Sequence, residues 1–451
     1  MPLVLLLSVS FILRLWYVIQ PSPVWWDTAI YASMGKFFFS GGMLGFWETL
    51  RPPLFPIILG LAWKMGIDPI FFGKLLMVAS SLGLIALIYS IGETIKKNAG
   101  LAAAALTSFT FVFFSFTIVP LTDIPSAFTS LLAIWLVLRK KYFLGGLAAT
   151  ATFFLRFPLG LIFIPIGILA FIDEGTWRKK FIDALKISSS FIVSFGGYLI
   201  LNNWLYGDPL LPIKLGQISM QQSVYTPEPF FYYAIKLFFE NPLLIFALVF
   251  VGILIIKRDL LKHQTVTATL ISLFLIGGYL SSLAHKELRY SIAFLPYIAI
   301  LAGAGMAYVF EKIRLNKTYA ILLIAAAVPV LSSIAMHYNY APPQIASEYE
   351  KYYHFFDDKK DSIVITTSPQ IGATTDIPIL ELFDTFEEGV RTFSANRNII
   401  DYAAIDSCNI RCEKEGADCS PSQRQLEAEL KTAHPIFDET AGECQLTIYE
   451  L

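Results

Sequence analysis

Long apolar runs recur along the first 336 residues, separated by short basic clusters, and no other feature limits the fold so strongly. Each run approaches the roughly 20 residues a helix needs to cross a bilayer. Within hydrocarbon the backbone must satisfy its own N–H and C=O groups, so such runs become membrane-spanning helices. Only 15% of the 451 residues are charged and 55% are hydrophobic, which excludes an ordinary soluble domain for most of the chain. The sequence therefore predicts an all-α polytopic membrane protein. The spans fall near 1–20, 69–95, 99–118, 122–138, 142–155, 157–172, 181–201, 235–256, 264–284, 291–310 and 318–336, about 11 in number. The N-terminal run, MPLVLLLSVSFILRLWYVIQ, lacks a basic start and a small-residue cleavage pattern, and reads as a retained first helix.

The charge balance divides the chain. Residues 341–451 hold 21 acids against 9 Lys and Arg, a balance of −12, while residues 1–340 hold 14 against 25, or +11. A basic membrane domain (1–340) thus precedes an acidic, water-soluble one (341–451). Strand character in SIVITTS (362–368), IIDYAAI (399–405) and the terminal QLTIYEL, with a helix over SQRQLEAELKTAH (422–434), predicts a small α/β fold there. All four cysteines, Cys408, Cys412, Cys419 and Cys444, lie in this segment. Outside the cytoplasm an even number points to disulfides, with three connectivities open.

Basic clusters mark the cytoplasmic side. Lys96-Lys97, Arg139-Lys140-Lys141, Arg178-Lys179-Lys180, Lys257-Arg258 and the Lys312, Arg314, Lys317 group all fall inside if the N-terminus is cytoplasmic and residues 52–66 do not cross. The protein is then a multi-pass protein of the plasma membrane, with its C-terminal domain extracytoplasmic. Nearly all the unusual polar residues collect on the outer face: in the first outside loop, 21–68, in turns at 120–125 and 155–158, and in HKELRY at 285–290.

Asp27 sits behind two interfacial tryptophans in that first loop. It can cap the AIYASMGKFF helix, or, partly desolvated, take a proton from an attacking group. Asp123, in LTDIP, has the same two readings, and an acid so near hydrocarbon is usually paired or functional. Arg51 is stiffened by Pro52-Pro53. With Arg156 and Arg289 at two other outer turns it suits a phosphate, which guanidinium groups bind bidentately. Glu48, His285, Lys286, Glu287 and Tyr290 are further candidates at the same level. No GxGxxG, Walker, HExxH or paired CxxC pattern is present, so a soluble nucleotide site or zinc centre has no support, and nothing points to nucleic acid.

The order of these motifs resembles the GT-C glycosyltransferases. An apolar first helix is followed by an outer aspartate and a basic-Pro-Pro step. LTDIPSAF, LRFPLGLIFIPI and HKELRYSIAFLP then come in turn. Within that class it resembles the protein O-mannosyltransferase and lipid A aminoarabinose transferase branch. The resemblance implies transfer of a hexosyl or pentosyl group from a polyprenyl- or dolichyl-phosphate sugar, embedded among membrane lipids, to a lipid, glycan or protein acceptor outside. It implies Asp27 and Asp123 as the catalytic carboxylates, with Arg51 and the Arg289-Tyr290 pair at the donor phosphate. Thr28 stands where the branch reads a second acid. No second acid neighbours Asp123 either, so no cofactor is expected and a divalent metal is the less favoured option. The rival reading is a transporter or flippase of a lipid-linked or anionic substrate. Transporters, however, commonly place polar groups at mid-membrane in repeated halves.

Overall fold

The computed structural model describes residues 2–20, 22–221, 227–312, 317–337, 346–359, 361–382, 386–410 and 420–451. By contacts the chain divides into two compact units. The described residues of 1–20, 74–221 and 226–340 form one; residues 21–73 and 341–451 form the other.

The first unit is helical throughout its described residues. Helices over Pro69–Ile95, Asp123–Leu138 and Tyr142–Leu155 fall on the expected runs almost to the residue. Among the described residues three helices, Pro69–Ile95, Trp177–Tyr206 and Gln264–Ser282, are long and apolar enough to cross a membrane by themselves. Eight shorter apolar helices are also present among the described residues, seven in this unit and one, Leu54–Lys64, in the second. Helices of this unit approach closely where glycine leaves room: a side chain at Gly146 would strike the Ile187 carbonyl, and one at Gly303 the Ala99 carbonyl. Such small-residue contacts are the usual way helices pack where lipid removes the hydrophobic drive.

Two expected spans are not continuous helices. The run over 99–118 breaks at Thr110, with 65° between Ala99–Phe109 and Phe111–Ile118. The run over 235–256 breaks at Asn241, between Tyr232–Glu240 and a short turn that opens Phe246–Ile256. The second break repairs the first. The Glu240 carboxylate accepts from the Val112 amide at 3.0 Å, and the Asn241 side chain donates to Thr110 Oγ1 at 2.8 Å and to the Leu106 carbonyl at 3.4 Å. Side chains of Glu240 and Asn241 thus stand in for hydrogen bonds that the bend at Thr110 removes from its helix. Arg14, fully buried on the first helix, joins the same region by donating to the Ser108 carbonyl at 3.2 Å.

The second unit holds a five-stranded sheet of order β2-β1-β3-β5-β4, where β1 is Val364–Thr366, β2 Ile379–Glu381, β3 Tyr402–Asp406, β4 His434–Ala441 and β5 Cys444–Glu450. β1 pairs in parallel with β2 (Val364 opposite Ile379) and with β3 (Val364 opposite Tyr402). β5 runs antiparallel to β3 and β4. The β4–β5 loop is two residues, with Gly442 at φ 64°, the backbone such hairpins require. Ile365, Phe386, Val390, Phe393, Ala403 and Leu426 build the core beneath the sheet. The expected helix near 422–434 is Ser420–Leu430, and its last residues instead begin β4. Cys408 and Cys444 form a disulfide across 36 residues, tying the end of β3 to the start of β5. Cys412 and Cys419 lie outside the described residues.

The loop over residues 21–73 belongs to this same unit. It contributes two helices, Trp26–Phe39 and Leu54–Lys64. The second spans 11 residues, or about 16 Å, which is too short to cross a bilayer. The helices touch backbone to backbone, since a Cβ on Gly35 would lie 2.6 Å from the Gly60 nitrogen. Gly45, at φ 67°, forms a bridge to Pro378 beside the sheet. Lys36, buried on the first helix, reaches the far end of the chain. Its ammonium donates to the Ala373 and Thr375 carbonyls, each at 2.8 Å, and pairs with Asp376 at 3.0 Å.

Candidate functional site

The candidate residues gather into two clusters, one in each unit. In the loop unit, Asp27 lies in the first turn of Trp26–Phe39. The preceding Trp25 is the N-cap and makes no side-chain cap bond. The N-cap position thus belongs to Trp25, two residues before the aspartate. Its carboxylate pairs with Arg51 Nη1 at 2.9 Å, while Arg51 Nε donates to Glu48, three residues earlier. The guanidinium also lies 5.3 Å above the Tyr31 ring. All three charged side chains are mostly buried. Burial alone would pull the Arg51 guanidinium down, but Glu48 and Asp27 outweigh it and hold it above its ordinary value. Two carboxylates thus share one guanidinium. Glu48 supplies the second acid that Thr28 does not; Thr28 is buried in the helix.

In the membrane unit, Asp123 opens the Asp123–Leu138 helix, again without a side-chain cap bond from its N-cap Thr122. Its carboxylate instead accepts from Arg156, with both side chains largely buried. Arg156 follows Tyr142–Leu155 in extended backbone, set by the turn that carries Phe157 and Pro158. Its guanidinium lies 4.6 Å over the Tyr290 ring, and that of Arg289 lies 5.4 Å from the same ring. Glu287 is the hub of the late loop. It accepts from Arg289 Nε at 2.6 Å and from the Tyr290 hydroxyl at 3.1 Å, and it meets His285 Nε2 at 3.1 Å. Lys286 is turned to backbone, donating to the Glu228 carbonyl at 2.7 Å and to that of Leu283. Burial lowers its ammonium from the ordinary value. Asp123 and Glu287 thus face Arg156 and Arg289, and the Glu228 carboxylate acts on Lys286.

Two further residues of these clusters carry weaker sequence signals. Tyr31 forms the floor beneath Arg51 and reads in sequence as one more aromatic in an aromatic-rich helix. Tyr233, only 1% exposed, has a hydroxyl with no hydrogen-bond partner and packs its ring 5.5 Å from Phe294.

Directly after Arg156 the chain lines a cavity of about 500 Å³ in the membrane unit. Phe153, Phe157, Pro158, Leu161, Phe163 and Phe191 give it apolar walls, with Tyr279 among its few polar groups. A branched hydrocarbon chain fits such walls, and a charged headgroup does not.

Residues 3–369 match the model of the Alg9-like mannosyltransferase family. No curated protein matches the chain in sequence. Among solved structures, ArnT from Cupriavidus metallidurans bound to undecaprenyl phosphate is similar with a TM-score of 0.64 at 12% identity, covering 99% of this chain and 97% of that one. The same protein in the apo state gives 0.61 at 12% identity over the same shares. The arabinofuranosyltransferase AftD from Mycobacteria gives 0.55 at 11% identity, covering 99% of this chain and 41% of the AftD chain. At these identities the structural likeness speaks for the fold, and the family match carries the rest.

Proposed function

The chain belongs to the Alg9-like mannosyltransferase family, and from that premise we propose that it moves a sugar from a polyprenyl- or dolichyl-phosphate carrier to an acceptor on the extracytoplasmic side. It is a membrane glycosyltransferase of the GT-C type, the class its motifs resemble. The observation that carries the donor assignment is the pairing of two arginines over the Tyr290 ring with an aromatic-walled cavity lined directly after Arg156. Arg156, Arg289 and Tyr290 hold the phosphate, and the cavity takes the prenyl chain. ArnT, similar in fold, was solved with undecaprenyl phosphate, a carrier of this chemistry.

The Asp27 cluster serves the acceptor. Asp27 takes the proton from the acceptor hydroxyl as its oxygen attacks the anomeric carbon, and Arg51 with Glu48 fixes the carboxylate. The new C–O bond forms as the bond to the phosphate oxygen breaks, and the phosphate leaves with that electron pair. Arginines stabilise the charge that builds on it. A single displacement of this kind inverts the anomeric configuration. Asp123, buried and bonded to Arg156, aims that guanidinium. In this reading the chain has about 11 spans, with the two broken helices and the shorter apolar helices other than Leu54–Lys64 counted among them.

The experiment is direct. Purified protein is incubated with undecaprenyl-phosphate and dolichyl-phosphate sugars and a panel of lipid, glycan and peptide acceptors. A new glycosidic bond with inverted configuration, and release of the lipid phosphate, is expected. Movement of intact carrier across a vesicle with no new bond would support the flippase reading instead.

A further inference from the structure

A second cavity, of about 450 Å³, lies wholly within the loop unit and takes no part in the mechanism above. Its size is in the range of roughly 300–1,000 Å³ common for small-ligand sites. Lys36, Trp63 and Asp68 line it from the first loop, and Thr374 and Asp376 from the C-terminal segment. Lys64 also lines it, so two lysines face two aspartates and the wall is electrically balanced.

The charged groups are not equally available. The three protons of Lys36 are spent on the Ala373 and Thr375 carbonyls and on Asp376. An anion therefore finds no buried cation to meet. Each carboxylate, by contrast, is held at one oxygen by the described residues, and its second oxygen can meet a ligand. Asp376 Oδ1 accepts from Trp63 Nε1 at 3.1 Å as well as from Lys36. Asp68 Oδ1 accepts from the Phe71 amide at 2.6 Å. The bond at Nε1 also fixes the plane of a half-buried indole that lines the cavity. A flat apolar face beside two oriented carboxylates matches one class of molecule well. A pyranose ring presents C–H groups to the face and hydroxyl donors to the acids.

We infer that this cavity is a saccharide subsite that takes a neutral, hydroxyl-rich ring of the acceptor, stacked on Trp63 and hydrogen-bonded to Asp68 and Asp376. Its assignment to the acceptor rests on the glycosyl-transfer reading; recognition of the ring rests on the cavity's own chemistry.

The test is calorimetric titration of the full-length protein in detergent with α-linked mannobiose, and separately with inorganic phosphate. Saturable mannobiose binding is expected, with phosphate weak or silent. Trp63→Ala loses about tenfold or more in affinity, Trp63→Phe keeps most of it because the ring face remains, and Asp68→Asn weakens it. Thermal unfolding of each variant separates a lost contact from a lost fold, and exposed Asp68 is the position least able to disturb folding. Absence of mannobiose binding, equal binding by Trp63→Ala, or tighter binding of phosphate overturns the inference. Mannobiose binding that depends on Trp63, in a protein that transfers no sugar from any lipid phosphate, would keep the subsite and remove the enzyme reading. Transfer without such binding would do the reverse.

Discussion

Arg156 and Asp123 stand 33 residues apart and are bonded to each other through guanidinium and carboxylate, with Arg156 also stacked over Tyr290. Both side chains are largely buried, so neither can lose the other and turn to water. Arg156→Ala leaves Asp123 as an uncompensated buried charge and should destabilise the protein by about 3–5 kcal/mol. The double variant Asp123→Asn with Arg156→Gln should recover much of that stability while remaining inactive, because the phosphate has lost its cation. Thermal unfolding and transfer rates measured on the singles and the double check this. Equal stability of Arg156→Ala and wild type would contradict the pairing.

Lys36 ties the first loop to the segment after the Pro369–Thr374 helix. Lys36→Met removes three donors and leaves two backbone carbonyls unpaired, at a cost of about 2–3 kcal/mol. Asp376→Asn should cost less, since that side chain is half exposed and can be solvated. Unfolding midpoints in detergent rank the two variants; the reverse order would contradict the assignment.

Asp173 makes stability depend on pH at the turn after Phe163–Ile172. Burial pushes its carboxyl up, but the Tyr142 hydroxyl at 2.8 Å and Lys140 at 3.3 Å outweigh it and hold it below the ordinary value. A folded-state value below the unfolded one gives stability that is complete above the unfolded value, near 4, and is lost as pH falls below it. The difference in unfolding temperature between wild type and Asp173→Asn should be constant from about pH 7 to pH 5 and shrink below about pH 4. A difference that grows on acidification would contradict the sign.

Much of the fold is legible in the chain, for a physical reason. A helix that must satisfy its backbone within hydrocarbon needs only a long apolar run, and Pro69–Ile95 and Tyr142–Leu155 end where their runs end. The break at Thr110 is hidden because no proline or glycine stands there. It depends on Glu240 and Asn241, more than 120 residues away. β4 is hidden because it is an edge strand, largely exposed and without the alternation that marks a half-buried one. Asp27 and Arg51 are visible as unusual residues in one loop, yet their mutual bond, and the sharing of Arg51 with Glu48, come only from the fold. Lys36 looks like one basic residue in an apolar helix, and its partners lie at the other end of the sequence.

The account stands most directly on Asp27 as the base of a sugar transfer from a lipid phosphate. The measurement is the transfer rate of Asp27→Asn beside wild type, with donor binding followed on the same preparations. Loss of transfer by between about 100-fold and 10,000-fold, with donor binding and unfolding temperature retained, is the result expected. Transfer by Asp27→Asn at the wild-type rate would contradict it.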